Sequence, residues 1–315
     1  MISRQSRSPT GLLAVIFISL CSMGLILHEF TDGPLEQHYP TQLCTGAVQV
    51  IVAIRSAPGR YGTRQVIRKS IGNEATRRSL SWRIVFYMGF SRVPSTSHKL
   101  RREFKNDDII VVPVPTSPLE AVPIFLETAK WLFRHCSAPY VIHVNDTTFP
   151  DLVGLHAYIE NLSEEDYAFH CSDQHSVKVD RDPANAQFYV SDEELKDTVF
   201  PTFCEGEAFL LRRKFLNLLV LAAEATPQYP LFSQYVTGQL AQVGNLGHRS
   251  IAGQMAVASG NDQWTERKLF VAGVTKLSMW KKYWMKMLVC YEEKNNRTLY
   301  LTEQILSRVQ IKLLN

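Results

Sequence analysis

Four apolar runs, set apart by stretches of helical pattern, constrain this chain more than any other feature. They are "AVQVIVAI" (47–54), "WRIVFYMG" (82–89), "DIIVVPV" (108–114) and "YVIHV" (140–144). Each is apolar almost throughout instead of alternating, as a strand buried on both faces must be. Between them, "RQVIRKSIG" fits a helix stopped at Gly72, and "HKLRREF" fits a short charged helix. Residues 118–136 place Val122, Phe125, Leu126, Ala129, Leu132 and Phe133 at helical spacing. Strands and helices in this alternation predict an α/β domain: a Rossmann-like, mostly parallel sheet with helices on both faces.

In such sheets ligands sit beyond the carboxyl ends of the strands. The fourth run leads directly into Asn145-Asp146-Thr147, so a single acid follows the strand. Clustered aspartates at a strand end hold a divalent metal against a phosphate; one aspartate is a poor substitute. Beyond Cys171 the pattern loosens. "FCEGEAFLLRRKFLNLLVLAAEA" reads as a short strand turning into a helix, "QYVTGQLAQVG" as a further helix, and "TKLSMWKKYWMKML" as a late helix or helix-strand segment. There is no internal repeat.

The chain has 315 residues, 45% of them hydrophobic, enough for one large domain with a proper core. Its net charge of +4 is mild. No tract of Lys and Arg interleaved with aromatics marks a nucleic-acid groove, so no nucleic-acid partner is expected. The segment Gly11 to Leu27 holds no charge and would span roughly 25 Å as a helix. Arg4 and Arg7 precede it, and Glu29, Asp32 and Glu36 follow it. An uncleaved anchor with its N-terminus in the cytosol is therefore expected. A cleaved signal peptide would have a shorter core and a small-x-small site. The expected organisation is a cytosolic tail (1–10), a transmembrane signal anchor (11–27), a short stem (28–46) and a lumenal domain (47–315). Sequons stand at Asn145, Asn161 and Asn296. Asn161 and Asn296, in polar segments, are the expected glycan carriers, and Asn145 should stay bare. Besides Cys21, the chain has Cys44, Cys136, Cys171, Cys204 and Cys290 without zinc-like spacing, so disulfides are expected over metal.

Several motifs in order carry a resemblance. "VIVAIRSAPGRYGTRQVIRKSIG", "VFYMG", "REFKNDDIIVV", "AKWLFRHCSAPYVIHVNDTTFPDL", "RDPANAQFYVSDEELKDTVFPTFCEGEAFLLRR" and "PLFSQYVTGQLAQVGN" resemble, across residues 47 to 250, the successive motifs of the β1,3-galactosyltransferase family (glycosyltransferase family 31). The resemblance implies a GT-A fold, a UDP-sugar donor, a glycan acceptor, Mn²⁺ and a Golgi location as a type II membrane protein. It implies donor-binding roles for Arg64, Arg68, Asp146 and Arg181, with Asp146 also at the metal. The family's D-D-D stands here as Asn145-Asp146-Thr147, and its E-D-V as Ser233-Gln234-Tyr235. Gln234 thus occupies the expected position of the catalytic base, and an amide has no useful basicity near neutral pH. The family's lysine before the acidic cluster is His143, which is expected to be a packed histidine. Cys136, at the end of the helix before the site strand, and Cys204, on the turn resembling the family's substrate-side loop, are expected to pair. Two readings follow: a hexosyltransferase with a metal-poor site, or an inactive member retained as a binding or partner protein.

Overall fold

The computed structural model describes residues 35–74, 80–206, 208–258 and 268–292. Seven strands pair in the order β10 (Gly247–Ser250), β6 (Ala168–Cys171), β9 (Phe209–Arg212), β4 (Tyr140–Asn145), β1 (Val50–Arg55), β2 (Trp82–Phe90) and β3 (Ile109–Pro115). β4, β1, β2 and β3 run parallel, as do β6 and β10. β9 alone is antiparallel to its neighbours β4 and β6. Two small sheets flank this one: β11 (Met255–Val257), β12 (Phe270–Ala272) and β5 (Phe149–Pro150) in one, β7 (Asp173–Gln174) and β8 (Phe203–Cys204) in the other.

Helices cover both faces, as the apolar strands require. They are α1 (Tyr61–Lys69), α2 (Pro94–Arg101), α3 (Ala121–His135), α4 (Leu152–Glu160), α5 (Lys214–Glu224), α6 and α7 (Leu277–Glu292). α6 opens as a π-helix over Ser233–Gln239 and continues as an α-helix over Leu240–Val243. The side-chain period of two divides β1 between the faces. Ile51 and Ala53 pack with Phe125 of α3, Leu219 of α5 and Tyr235 of α6. Val50, Val52 and Ile54 pack with Ile67 of α1, Leu155 of α4 and Trp284 of α7. Each fully buried aliphatic side chain here contributes about 1.5–3 kcal/mol over exposure. Where β2 meets β3 the register shifts between Gly89 and Phe90, and a Cβ at Gly89 would lie 2.4 Å from the Val114 carbonyl oxygen. Only glycine permits that approach.

The chain runs outward from β1 to β2 and β3, then returns through α3 to β4 on the other side of β1. Connections therefore leave the β1 and β4 carboxyl ends in opposite directions, the place where sheets of this kind bind their ligands. Arg55 and Asn145 are register partners at that edge.

Two expectations are corrected. Residues 35–46, read as part of a stem, are fastened to the domain. His38 makes an antiparallel bridge with Val111 of edge strand β3, Leu35 and Leu43 are buried, and Asp107 accepts from the backbone of Thr41 and Gln42. Such a cover satisfies an otherwise open sheet edge. The expected Cys136–Cys204 pair does not form. Cys136 bonds Cys44, and Cys171 bonds Cys204. The short β7–β8 ladder, pairing Asp173 with Cys204, brings Cys204 beside the end of β6. Docking of residues 35–46 brings Cys44 to the end of α3. The 11–27 segment, Asn296 and the side chain of Cys290 lie outside the described residues. Among the described residues no helix is long and apolar enough to cross a membrane.

Candidate active site at the carboxyl end of the sheet

β4 ends at Asn145, and a turn closed by Thr148 N–H donating to the Asn145 carbonyl (3.0 Å) follows. Asp146 N–H donates to the Arg55 carbonyl (3.0 Å), which fixes its side chain over the end of β1. Both carboxylate oxygens of Asp146 are engaged. Oδ2 accepts from Ser56 Oγ (2.8 Å) and Arg60 Nε (3.2 Å), and Oδ1 accepts from Arg60 Nη2 (3.2 Å). The acid is the buried end of this pair, with its side chain 10% exposed against 39% for Arg60. Next to it, Asn145 Oδ1 accepts from Arg55 Nε (3.1 Å).

Beneath these groups lies a second layer. Arg64 is fully buried and uses five N–H donors: to both oxygens of Glu103 (3.1 and 2.6 Å), to Ser56 Oγ (3.2 Å), and to the carbonyls of Ala57 (2.7 Å) and Pro58 (2.9 Å). Arg68 donates to Glu103 (2.6 Å) and forms a bidentate pair with Asp108 (2.7 and 2.8 Å). Burial opposes its charge, but its bonds to Asp108 and Glu103 outweigh that and raise its pKa. The expectation that Arg64 and Arg68 contact donor phosphate is therefore revised. Their guanidiniums brace the turn from β1 into α1. Ser56 links the layers, accepting from Arg64 and donating to Asp146.

The other expected donor arginine, Arg181, is likewise occupied. It donates to the carbonyls of Val190, Leu195 and Asp197 and pairs with Asp192, so it ties the 181–197 loop together. His143 is the packed histidine expected: buried, bonded through Nε2 to Tyr87 Oη, and stacked between Phe209 and Phe232. Phe232 brings α6 to the site. Its ring lies on His143, and the Arg55 guanidinium carbon sits 5.5 Å from its centroid. Gln234 follows two residues later, in the π-helical turn. π-turns are frequent at functional sites. The exposed Asn161 stands at the C-terminus of α4, its amide donating to the Ala157 carbonyl (2.7 Å).

The residues do not fit a manganese ion. Among the described residues no three His, Cys, Asp or Glu side chains cluster as metal ligands. Asp146, the implied ligand, already holds a hydroxyl and a guanidinium, and Asn145 and Thr147 supply no charge. Sequence reasoning missed Arg55, Ser56, Arg60, Glu103 and Phe232. The signal for Arg60 was its position opening α1 in the "SAPGRYG" turn; nothing in the sequence showed that a residue 86 positions later would receive it.

A family model described as Galactosyltransferase matches residues 62–251, more than half of the chain. The chain belongs to the galactosyltransferase family. It is 27% identical over 197 residues to human beta-1,3-galactosyltransferase 9, covering 59% of this chain and 52% of that protein. It is 26% identical over 215 residues to a mouse acetylgalactosaminyl-O-glycosyl-glycoprotein beta-1,3-N-acetylglucosaminyltransferase, covering 64% of this chain and 54% of that one. It thus spans about half the length of the curated relatives it matches. Among solved structures, galactosyltransferase LgtC in complex with donor and acceptor sugar analogues is similar at 11% identity and a TM-score of 0.39, over 76% of this chain and 96% of that one.

Proposed function

We propose that this galactosyltransferase-family member is a hexosyltransferase, taking a hexose from a UDP-sugar and placing it on a glycan hydroxyl in protein glycosylation. Its domain is of GT-A type and lies in the Golgi lumen, held as a type II membrane protein by the 11–27 segment. The observation that carries this reading is that Asp146, inside the matched segment 62–251, stands at the end of β4, beside β1 at the switch point of the sheet. The donor diphosphate belongs at the strand ends beside Arg55 and Arg60. The acceptor hydroxyl belongs on the side of α6, where Gln234 replaces the expected base. An amide takes no proton there, so transfer forfeits the roughly 10²–10⁴-fold that general-base catalysis supplies.

That same amide favours a second reading, a Golgi protein that binds nucleotide sugar or glycan without turning it over. The test is transfer by the full-length chain from a panel of UDP-hexoses to a glycan array, run beside UDP titration, with Gln234→Asp as the comparison variant. Slow transfer that rises in Gln234→Asp supports the hexosyltransferase. UDP binding with no transfer by either protein supports the second reading. No UDP binding refutes the hexosyltransferase, and binding of neither UDP nor glycan refutes both.

A further inference from the structure

We propose that the Arg60 guanidinium, held in place by Asp146, stands in for the divalent cation, so that this site binds a nucleotide diphosphate directly and without metal. The inference rests on the reading that the donor is a nucleotide sugar, and it reassigns Asp146 from metal ligand to positioning residue. Three observations carry it.

The first is occupancy. A hard divalent cation needs several oxygen ligands, carboxylates above all. The only carboxylate of the Asn145-Asp146-Thr147 turn is already bonded on both oxygens, by Ser56 and by Arg60 in a two-point contact. The second is sign. The Arg60 guanidinium offsets the single carboxylate of this turn, and Asn145 and Thr147 add no negative charge, so little is left to attract a cation. The third is direction. The acid is the buried partner and the guanidinium the more exposed one. The positive end is therefore presented outward, at the start of α1, whose N-terminus has no side-chain cap and no acid in its first turn. That helix end adds its own positive potential to the same spot. Guanidinium is suited to this role because its planar fork bonds phosphate oxygens in pairs. Behind it, the run Glu103–Arg64–Ser56–Asp146 holds Arg60 from the protein side.

The test is calorimetric titration of the full-length chain in detergent with UDP and with uridine, in EDTA and again in millimolar Mn²⁺. UDP should bind with the same affinity, within about twofold, in both solutions, and more tightly than uridine. Arg60→Gln should weaken UDP by about tenfold or more while leaving uridine binding unchanged, and Arg60→Lys should restore part of the loss. Asp146→Asn should weaken UDP equally in EDTA and in Mn²⁺. A tenfold gain from Mn²⁺ that vanishes in Asp146→Asn would overturn the proposal, as would UDP binding indifferent to Arg60→Gln. If UDP does not bind at all, the nucleotide-sugar reading itself fails, and this inference falls with it.

Discussion

Replacing Glu103 by alanine removes the carboxylate that Arg64 and Arg68 share. Glu103 is 2% exposed and accepts from Arg64 at 2.6 and 3.1 Å and from Arg68 at 2.6 Å. Arg68 keeps its bidentate bond to Asp108, and its side chain is 13% exposed, so it loses one contact and can reach water. Arg64 has no such recourse. It is fully buried and would keep a positive charge with two donors stripped of their acceptors. Breaking a buried pair from one side costs about 3–5 kcal/mol, because the remaining charge stays unpaired. For a domain of this size each kcal/mol lowers the melting temperature by about 2–4 °C, so Glu103→Ala should melt roughly 6–20 °C below the parent. The double variant Arg64→Met/Glu103→Leu, which removes both charges and keeps the volume, should recover much of that loss. The assay is thermal unfolding followed by far-ultraviolet circular dichroism at neutral pH. A Glu103→Ala protein melting within about 2 °C of the parent would falsify the claim that this pair is buried and braces the turn.

Three further outcomes can be checked. Burial lowers the pKa of His38, His170 and His248, so each stays neutral in the fold more readily than in the unfolded chain. Their contribution is complete above the unfolded value of about 6.5 and is lost as pH falls through the lowered values; a melting profile flat from neutral to mildly acid pH would contradict this. Peptide mapping without reduction should return Cys44–Cys136 and Cys171–Cys204, and the double variant Cys44→Ser/Cys136→Ser should lose about 2–5 kcal/mol in a denaturant titration, a loss that unchanged midpoints would rule out. Glycopeptide analysis should find glycan at the exposed Asn161 and none at Asn145, whose amide is bonded to Arg55; high occupancy at Asn145 would mean that the strand end is not built as described.

The parallel half of the sheet was legible because continuous apolar runs leave few alternatives. The strands expected at 82–89 and 140–144 are Trp82–Phe90 and Tyr140–Asn145, and the expected helix at 118–136 is Ala121–His135 after a single 3₁₀ turn at Pro118–Glu120. The second half was less legible. β9 is four residues long and antiparallel, and β10 joins β6 through the exposed, polar Gly247–Ser250, which carries no apolar signature. Motif order put Asp146 at the end of the site strand, where it stands, but did not show that Arg64, Arg68 and Arg181 are held by other groups of the fold. The sequence offers guanidiniums at the right spacing; only the fold shows that Glu103, Asp108 and the carbonyls of the 181–197 loop have taken them. Disulfide partners failed for the same reason, since pairing depends on the approach of segments 92 and 33 residues apart.

The Cys44–Cys136 bond also sets a mechanical path. β1 lies in the interior of the sheet with a neighbour on each side, and the chain reaches it from residues 35–46 on the outer edge. A pull on the chain upstream of Leu35 first meets the single bridge between His38 and Val111, which can peel open one hydrogen bond at a time. At Cys44 the force passes through a covalent link into the end of α3, before it can reach β1. Tension from upstream is thereby shared between β1 and the junction of α3 with β4, instead of being carried by β1 alone.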